Sequence, residues 1–363
     1  MNRGQDRRTR AQSAPGVHAL IVGIGRYQQA SIPHIASSAS SAEAVAEWLK
    51  INTLAVPLAS CRVLRDGEAS VNRFLQAASD WRENACTNRD SIALFYFSGM
   101  GFQRSQTEDL MLFEDFGGVG PALRGAVSVD NLFQGMAPGN DAPEIARTQL
   151  YFIDTSRTDE GSLERYQLSS PTVIFDEYRG GPDDRSAVVF YATQPGSHAY
   201  VRVGESTSVF TTALLRCLDG EAATVLDPSP PVRWGVTINS LIQGLDRVIK
   251  GLNETLGPSG LPWQVPVVGG LVRDHVLRYL EQSPVAAVKV RLEQASTFSD
   301  LWVEDSDGRV VYKTSVKPEE EVQLKLPSGF YMVRAKTADG TQQASKIASL
   351  RPGSSHLSLV MSS

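Results

Sequence analysis

Up to residue 280, short apolar runs alternate with segments whose apolar residues recur at three- and four-residue intervals. Val17-His18-Ala19-Leu20-Ile21-Val22-Gly23 reads as a buried strand that ends on a glycine. Ala42, Val45, Ala46 and Leu49, with Trp48 beside them, predict an amphipathic helix over 41–51, with Ser40 or Ser41 as its N-cap. A second strand is expected over 61–64. The helix after it carries Val71, Phe74, Leu75 and Ala78 on one face, with Ser70 as its cap. Ser91-Ile92-Ala93-Leu94-Phe95-Tyr96-Phe97 is too apolar to have a wet face and belongs in the middle of a parallel sheet. The runs 149–154 and 187–193 read the same way. The glycine-rich stretch 116–121 reads as loop. Helical spacing returns over 209–218, in the series Ile238, Ile242, Leu245, Ile249 and Leu252 behind a Thr237 cap, and over 271–280. Strands alternating with helices predict an α/β fold, a mostly parallel sheet flanked by helices.

After Pro284 the period changes from helical to two. Val288, Val290 and Leu292 alternate with polar residues, as do Leu301 and Val303, and Val322, Leu324 and Leu326. Turn sequences separate the runs: Asp305-Ser306-Asp307-Gly308, Pro327-Ser328-Gly329 and Ala338-Asp339-Gly340. This pattern predicts a small all-β sandwich of the immunoglobulin-like kind. The expected division is a disordered basic tail over 1–16, an α/β domain over 17–282 and the sandwich over 285–363.

Composition narrows the function classes. The chain has 363 residues, 21% of them charged, and a formal net charge of -5. It lacks the basic footprint of a nucleic-acid binder. No apolar run approaches the ~18 residues that span a bilayer, so no membrane partner is expected. The arginines of the tail precede no apolar stretch of signal-peptide length, which predicts a cytoplasmic protein. Cys61, Cys86 and Cys217 are odd in number and widely spaced. They make neither a disulfide framework nor a metal motif. Gly23-Ile24-Gly25 lacks the third glycine of a dinucleotide fingerprint. No metal and no cofactor are expected.

Two strand ends carry the chemistry. Phe95-Tyr96-Phe97-Ser98-Gly99-Met100-Gly101 and Tyr151-Phe152-Ile153-Asp154-Thr155-Ser156-Arg157 lie where open α/β sheets build their sites. Together they resemble the two signatures of the caspase-like peptidases (caspases, metacaspases and bacterial relatives). There an apolar strand leads into Ser-Gly-His-Gly, and another into Asp-x-Cys-Arg. The likeness extends over most of 17–280. It includes 18–24, Ser40-Ser41-Ala42 in place of Asn-Asp-Ala, Ala192-Thr193-Gln194-Pro195-Gly196, 209–215 and Gln264-Val265-Pro266-Val267.

The resemblance puts Met100 at the family's His and Ser156 at its Cys. A thioether transfers no proton near neutral pH, and a serine hydroxyl needs a base to become a nucleophile. The resemblance thus implies a caspase-like pseudoprotease with no catalytic residues, acting as an interaction or regulatory module. The implied vestigial cleft holds Gly99, Gly101, Asp154, Arg157, Gln194 and His198. Asp154 either docks a basic side chain, as its counterpart does in metacaspase-like relatives, or is structural, capping a loop or pairing with Arg157. The implied partner is a protein or peptide, either an active caspase-like protease or a second copy of the chain, in a prokaryotic signalling or defence setting. The other reading keeps an active endopeptidase or serine hydrolase. In it the natural residue at 156 is Cys, or Ser156 works with His198 or His34. His18, His275 and His356 read as structural. The long loops 114–142 and 158–184 are placed to cover the cleft.

Overall fold

The computed structural model describes residues 13–105, 108–117, 123–139, 141–157, 170–175, 182–229, 231–254 and 263–362, and the side chains of 354 and 355 are not included. Most of the basic tail and most of the expected loop 158–184 lie outside the described residues. The chain forms two compact units: the residues up to Leu215 with Thr237–Arg278, and Arg216–Val236 with the residues from Tyr279 onward. The second unit thus takes in 216–236 as well as the C-terminal strands.

In the first unit the order is β1 (Val17–Gly23), α1 (Ala36–Ile51), β2 (Leu58–Arg65), α2 (Val71–Ala85), β3 (Ile92–Ser98), β4 (Gly101–Ser105), β5 (Glu108–Leu112), β6 (Ala126–Ser128), α3 (Val129–Gly135), β7 (Thr148–Asp154), β8 (Ser186–Tyr191) and α4 (Val209–Arg216). The next two strands, β9 (Thr224–Asp227) and β10 (Arg233–Thr237), pair as a hairpin. α5 (Ile238–Asn253), β11 (Val267–Leu271) and β12 (Val276–Leu280) follow.

The main sheet has the order β11-β8-β7-β3-β1-β2. Every neighbouring pair is parallel except β11, which runs antiparallel to β8 at the edge. β1 and β3 are buried at every position, as continuous apolar runs in the middle of a parallel sheet must be. On one face Leu20, Val22, Phe95, Phe97, Tyr151 and Ile153 pack with Phe74, Ala78 and Trp81 of α2.

α1 begins at Ala36, earlier than the expected 41, and Ser40 and Ser41 lie inside it rather than at its cap. The stripe Ser38, Ser41 and Ala42 packs so closely on the end of β1 that a Cβ on Gly23 would lie 2.5 Å from Ala42 Cβ. Close packing extends this helix past the point where its apolar periodicity begins. The second correction concerns 271–280, which forms the end of β11 and then β12 rather than a helix. Val-Leu-Arg-Tyr-Leu is too short for periodicity to separate the two states. Elements also stand where the sequence pattern gave only loop. β4, β5 and β6 make an antiparallel sheet between β3 and β7, and α3 follows it. Thr237 caps α5 as expected, in a reciprocal capping box with Ser240.

The second unit contains a two-sheet sandwich. β13 (Val285–Glu293), β16 (Glu321–Pro327) and β19 (Gly353–Val360) form one sheet. β14 (Ser299–Glu304), β15 (Val310–Val316), β17 (Gly329–Thr337) and β18 (Gln343–Leu350) form the other, in the orders β16-β13-β19 and β15-β14-β17-β18. Val288, Val290, Leu292, Leu301, Val303, Leu324, Val333 and Leu359 fill the space between them. These are the alternating apolar positions of the sequence.

Candidate functional site

The carboxyl ends of β3, β7 and β8 lie side by side, with Ser98 opposite Asp154 and Ile153 opposite Tyr191. Met100 stands two residues beyond β3, and Ser156 two beyond β7. The chain leaves β3 through Gly99, whose N–H donates to Asp154 O at 3.4 Å. A Cβ on Gly99 would come within 2.6 Å of Tyr27 Oη. That hydroxyl accepts the Met100 N–H at 2.6 Å and donates to Ile24 O at 3.3 Å. Burial pushes the Tyr27 phenol up, so it stays a neutral hydroxyl. Met100 itself is only 8% exposed and packs with Phe102, Leu110, Leu112, Phe116 and Leu123. Gly101 opens β4, and a Cβ there would press on Thr155 and Leu110.

Ser156 is half-buried, and its Oγ accepts the Ala199 N–H at 3.0 Å. Arg157 points inward. Its Nε and Nη2 each donate to Asp109 at 2.8 Å, and its guanidinium lies 4.3 Å from the centroid of Tyr191. Its backbone N–H donates to Ser197 O, and its carbonyl accepts from Gly196 N–H. Arg157 thus binds the loop after β7 to the loop after β8 and to β5. Burial pushes the Asp109 carboxyl up, while the hydrogen bonds and charge of Arg157 work against that shift. Of the two structural roles open to Asp154, pairing with Arg157 does not form: Arg157 pairs with Asp109, and Asp154 accepts from Ser208 and Thr211 at the start of α4.

Asp154 is 3% exposed. Its Oδ2 accepts from Ser208 at 2.5 Å, Thr211 at 2.8 Å and Tyr96 at 3.0 Å. Ser208 precedes α4 and Thr211 is in its first turn, so the carboxylate faces the positive end of that helix. Oδ1 is buried without a hydrogen-bond partner among the described residues, and burial pushes the carboxyl up.

Gly99, Gly101, Asp154 and Arg157 are thus all buried at the ends of β3 and β7, with Asp154 turned toward α4 and Arg157 toward β5. Gln194 and His198 are exposed on the loop after β8, whose Ser197 and Ala199 bond to Arg157 and Ser156. His34 is exposed ahead of α1. No hydrogen bond joins either histidine to Ser156 among the described residues. His18 sits in β1 with Nδ1 2.9 Å from Ser60 Oγ, and burial holds its imidazole below the usual range. Of the residues that shape this site, Tyr27, Asp109, Tyr191 and Ser208 carried no sequence signal, since each acts through a contact distant in the chain.

The caspase-domain family model (Peptidase_C14) matches residues 17–245. The chain belongs to the caspase family. Among solved structures it is similar to caspase-1 of Spodoptera frugiperda, at 13% identity and a TM-score of 0.48 over 73% of this chain and 91% of that one. It is also similar to a Geobacter sulfurreducens protein, at 14% identity and a TM-score of 0.45 over 71% and 94%. No curated protein matches the chain. Met100 and Ser156 thus both lie within the matched caspase domain. No helix among the described residues is long and apolar enough to cross a membrane.

Proposed function

We propose that this caspase domain binds a protein or peptide partner without cleaving it. The packing of Met100 carries the reading. Its thioether lies in an apolar cluster and its backbone N–H is taken by Tyr27, so no group there moves a proton. Ser156 has no imidazole partner among the described residues, and its Oγ is engaged by the Ala199 N–H, which gives it a loop-holding role.

Binding has support on the neighbouring rim. Val201, Val203, Trp263 and Val265 are exposed large apolar residues, and Trp263 is 52% exposed. Their segments are tied together at the site, where Gln264 accepts the Tyr200 N–H and donates to Ala192 O. Grouped apolar side chains in water are the mark of a contact surface. The partner that suits this rim is an extended peptide segment with apolar side chains. A second copy of the chain or a related active protease is the protein source proposed for it, and β11, at the sheet edge, offers a strand for pairing.

A peptide array incubated with the full chain tests this, with mass spectrometry of what is retained. The expected result is a set of apolar peptides recovered intact, with retention reduced about fivefold by Val203→Asp. Recovery of cleaved peptides, or retention of none, would contradict it.

A further inference from the structure

The outer face of the four-stranded sheet in the second unit carries a depression of about 490 Å³. Its floor is built by Asp300 and Trp302 of β14, Lys313 of β15 and Lys336 of β17. The turn after β17, with Asp339 and Gly340, forms its wall. The register explains the cluster, since Asp300 lies opposite Lys336, and Trp302 opposite Lys313.

Trp302 is fixed before any ligand arrives. Its Nε1–H donates to Glu304 Oε1 at 2.9 Å, and Glu304 Oε2 accepts from Arg334 Nε at 3.1 Å. With the indole nitrogen used internally, the ring offers a ligand its carbon face. A rigid aromatic platform of this kind binds with little loss of side-chain entropy.

The polar groups around the ring balance in charge: two lysines and two aspartates. Lys313 lies a loose 3.9 Å from Asp300. Asp339 is anchored to its turn by the N–H and hydroxyl of Thr341. The Lys336 ammonium has no hydrogen-bond or ion-pair partner among the described residues. A ligand of one charge would meet its own sign on half of these groups. A wholly apolar ligand would cover Lys336 without pairing it. A sugar ring meets neither objection. It has an apolar C–H face and a rim of hydroxyls that both donate and accept.

We propose that this depression is a saccharide site, with a pyranose ring stacked on Trp302 and its hydroxyls bonded to Lys336, Lys313 and Asp300. The test is calorimetric titration of the full chain with the neutral cellohexaose, chitohexaose and maltohexaose, alongside an acidic and a basic hexapeptide. At least one saccharide is expected to bind, with affinity falling about tenfold in Trp302→Ala and severalfold in Lys336→Ala. If Trp302→Ala lowers the melting temperature, Lys336→Ala and Trp302→Phe carry the test, since Lys336 is exposed and Phe keeps a ring. Lack of binding by every saccharide up to about 10 mM would overturn the proposal. So would binding indifferent to both positions, or a preference for either peptide.

Discussion

Truncating Arg157 leaves the Asp109 carboxylate buried without its cation, and Arg157→Ala is expected to cost about 3–5 kcal/mol in urea unfolding. Replacing both partners together, as Arg157→Met with Asp109→Leu, should cost clearly less, because no charge is then stranded. An equal loss in both variants would mean that the pair is not the source of the effect. Asp154 gives a second residue-scale test, in pH. Its carboxyl is raised in the folded state, by burial first, so ionisation opposes folding above that raised value. The cost is absent below the unfolded value near 3.8 and fully present above the folded one. Asp154→Asn should therefore gain stability relative to the parent at pH 7, with the gain shrinking as the pH falls toward 4. A gain that grows on acidification would show that the hydroxyls of Tyr96, Ser208 and Thr211 outweigh desolvation. Introducing a His–Cys pair as Met100→His with Ser156→Cys should yield no peptidase activity on a fluorogenic peptide library. An imidazole at 100 would enter an apolar cluster with the backbone already held by Tyr27.

At the scale of the element, α2 separates what sequence reveals from what only the fold supplies. Ser70 occupies the N-cap as its sequence position predicts, yet its hydroxyl makes no capping bond. The Val71 N–H is instead taken by Asp115 Oδ1 at 2.9 Å, from the far side of β5 in sequence. Asp115→Ala should thus cost about 1 kcal/mol, and Ser70→Ala almost nothing, in chemical denaturation. The reverse order would restore the local cap. The buried strands were legible because a parallel sheet covered on both faces needs continuous apolar runs, and those of β1, β3, β7 and β8 are unmistakable. Thr237 was legible because a capping box is local. The start of α1, the strand β12 and the small sheet β4-β5-β6 were not. The first depends on contact with Gly23, and the others are too short for any period to register.

At the scale of the whole molecule, the two units present different kinds of surface. The caspase domain has Met100 packed in an apolar cluster and exposed apolar residues at Val203 and Trp263, and the sandwich has a charge-balanced depression built on one indole. The candidate site was legible as two strand ends that lie side by side in the sheet. That Met100 is packed and Ser156 engaged became visible only when distant residues closed on them. Hydrolysis of a fluorogenic peptide library by the purified protein, beside Ser156→Ala, tests the proposed binding without cleavage most directly. Equal, background rates from the two proteins are the predicted result; a rate above background that Ser156→Ala abolishes would contradict the account and make Ser156 a nucleophile.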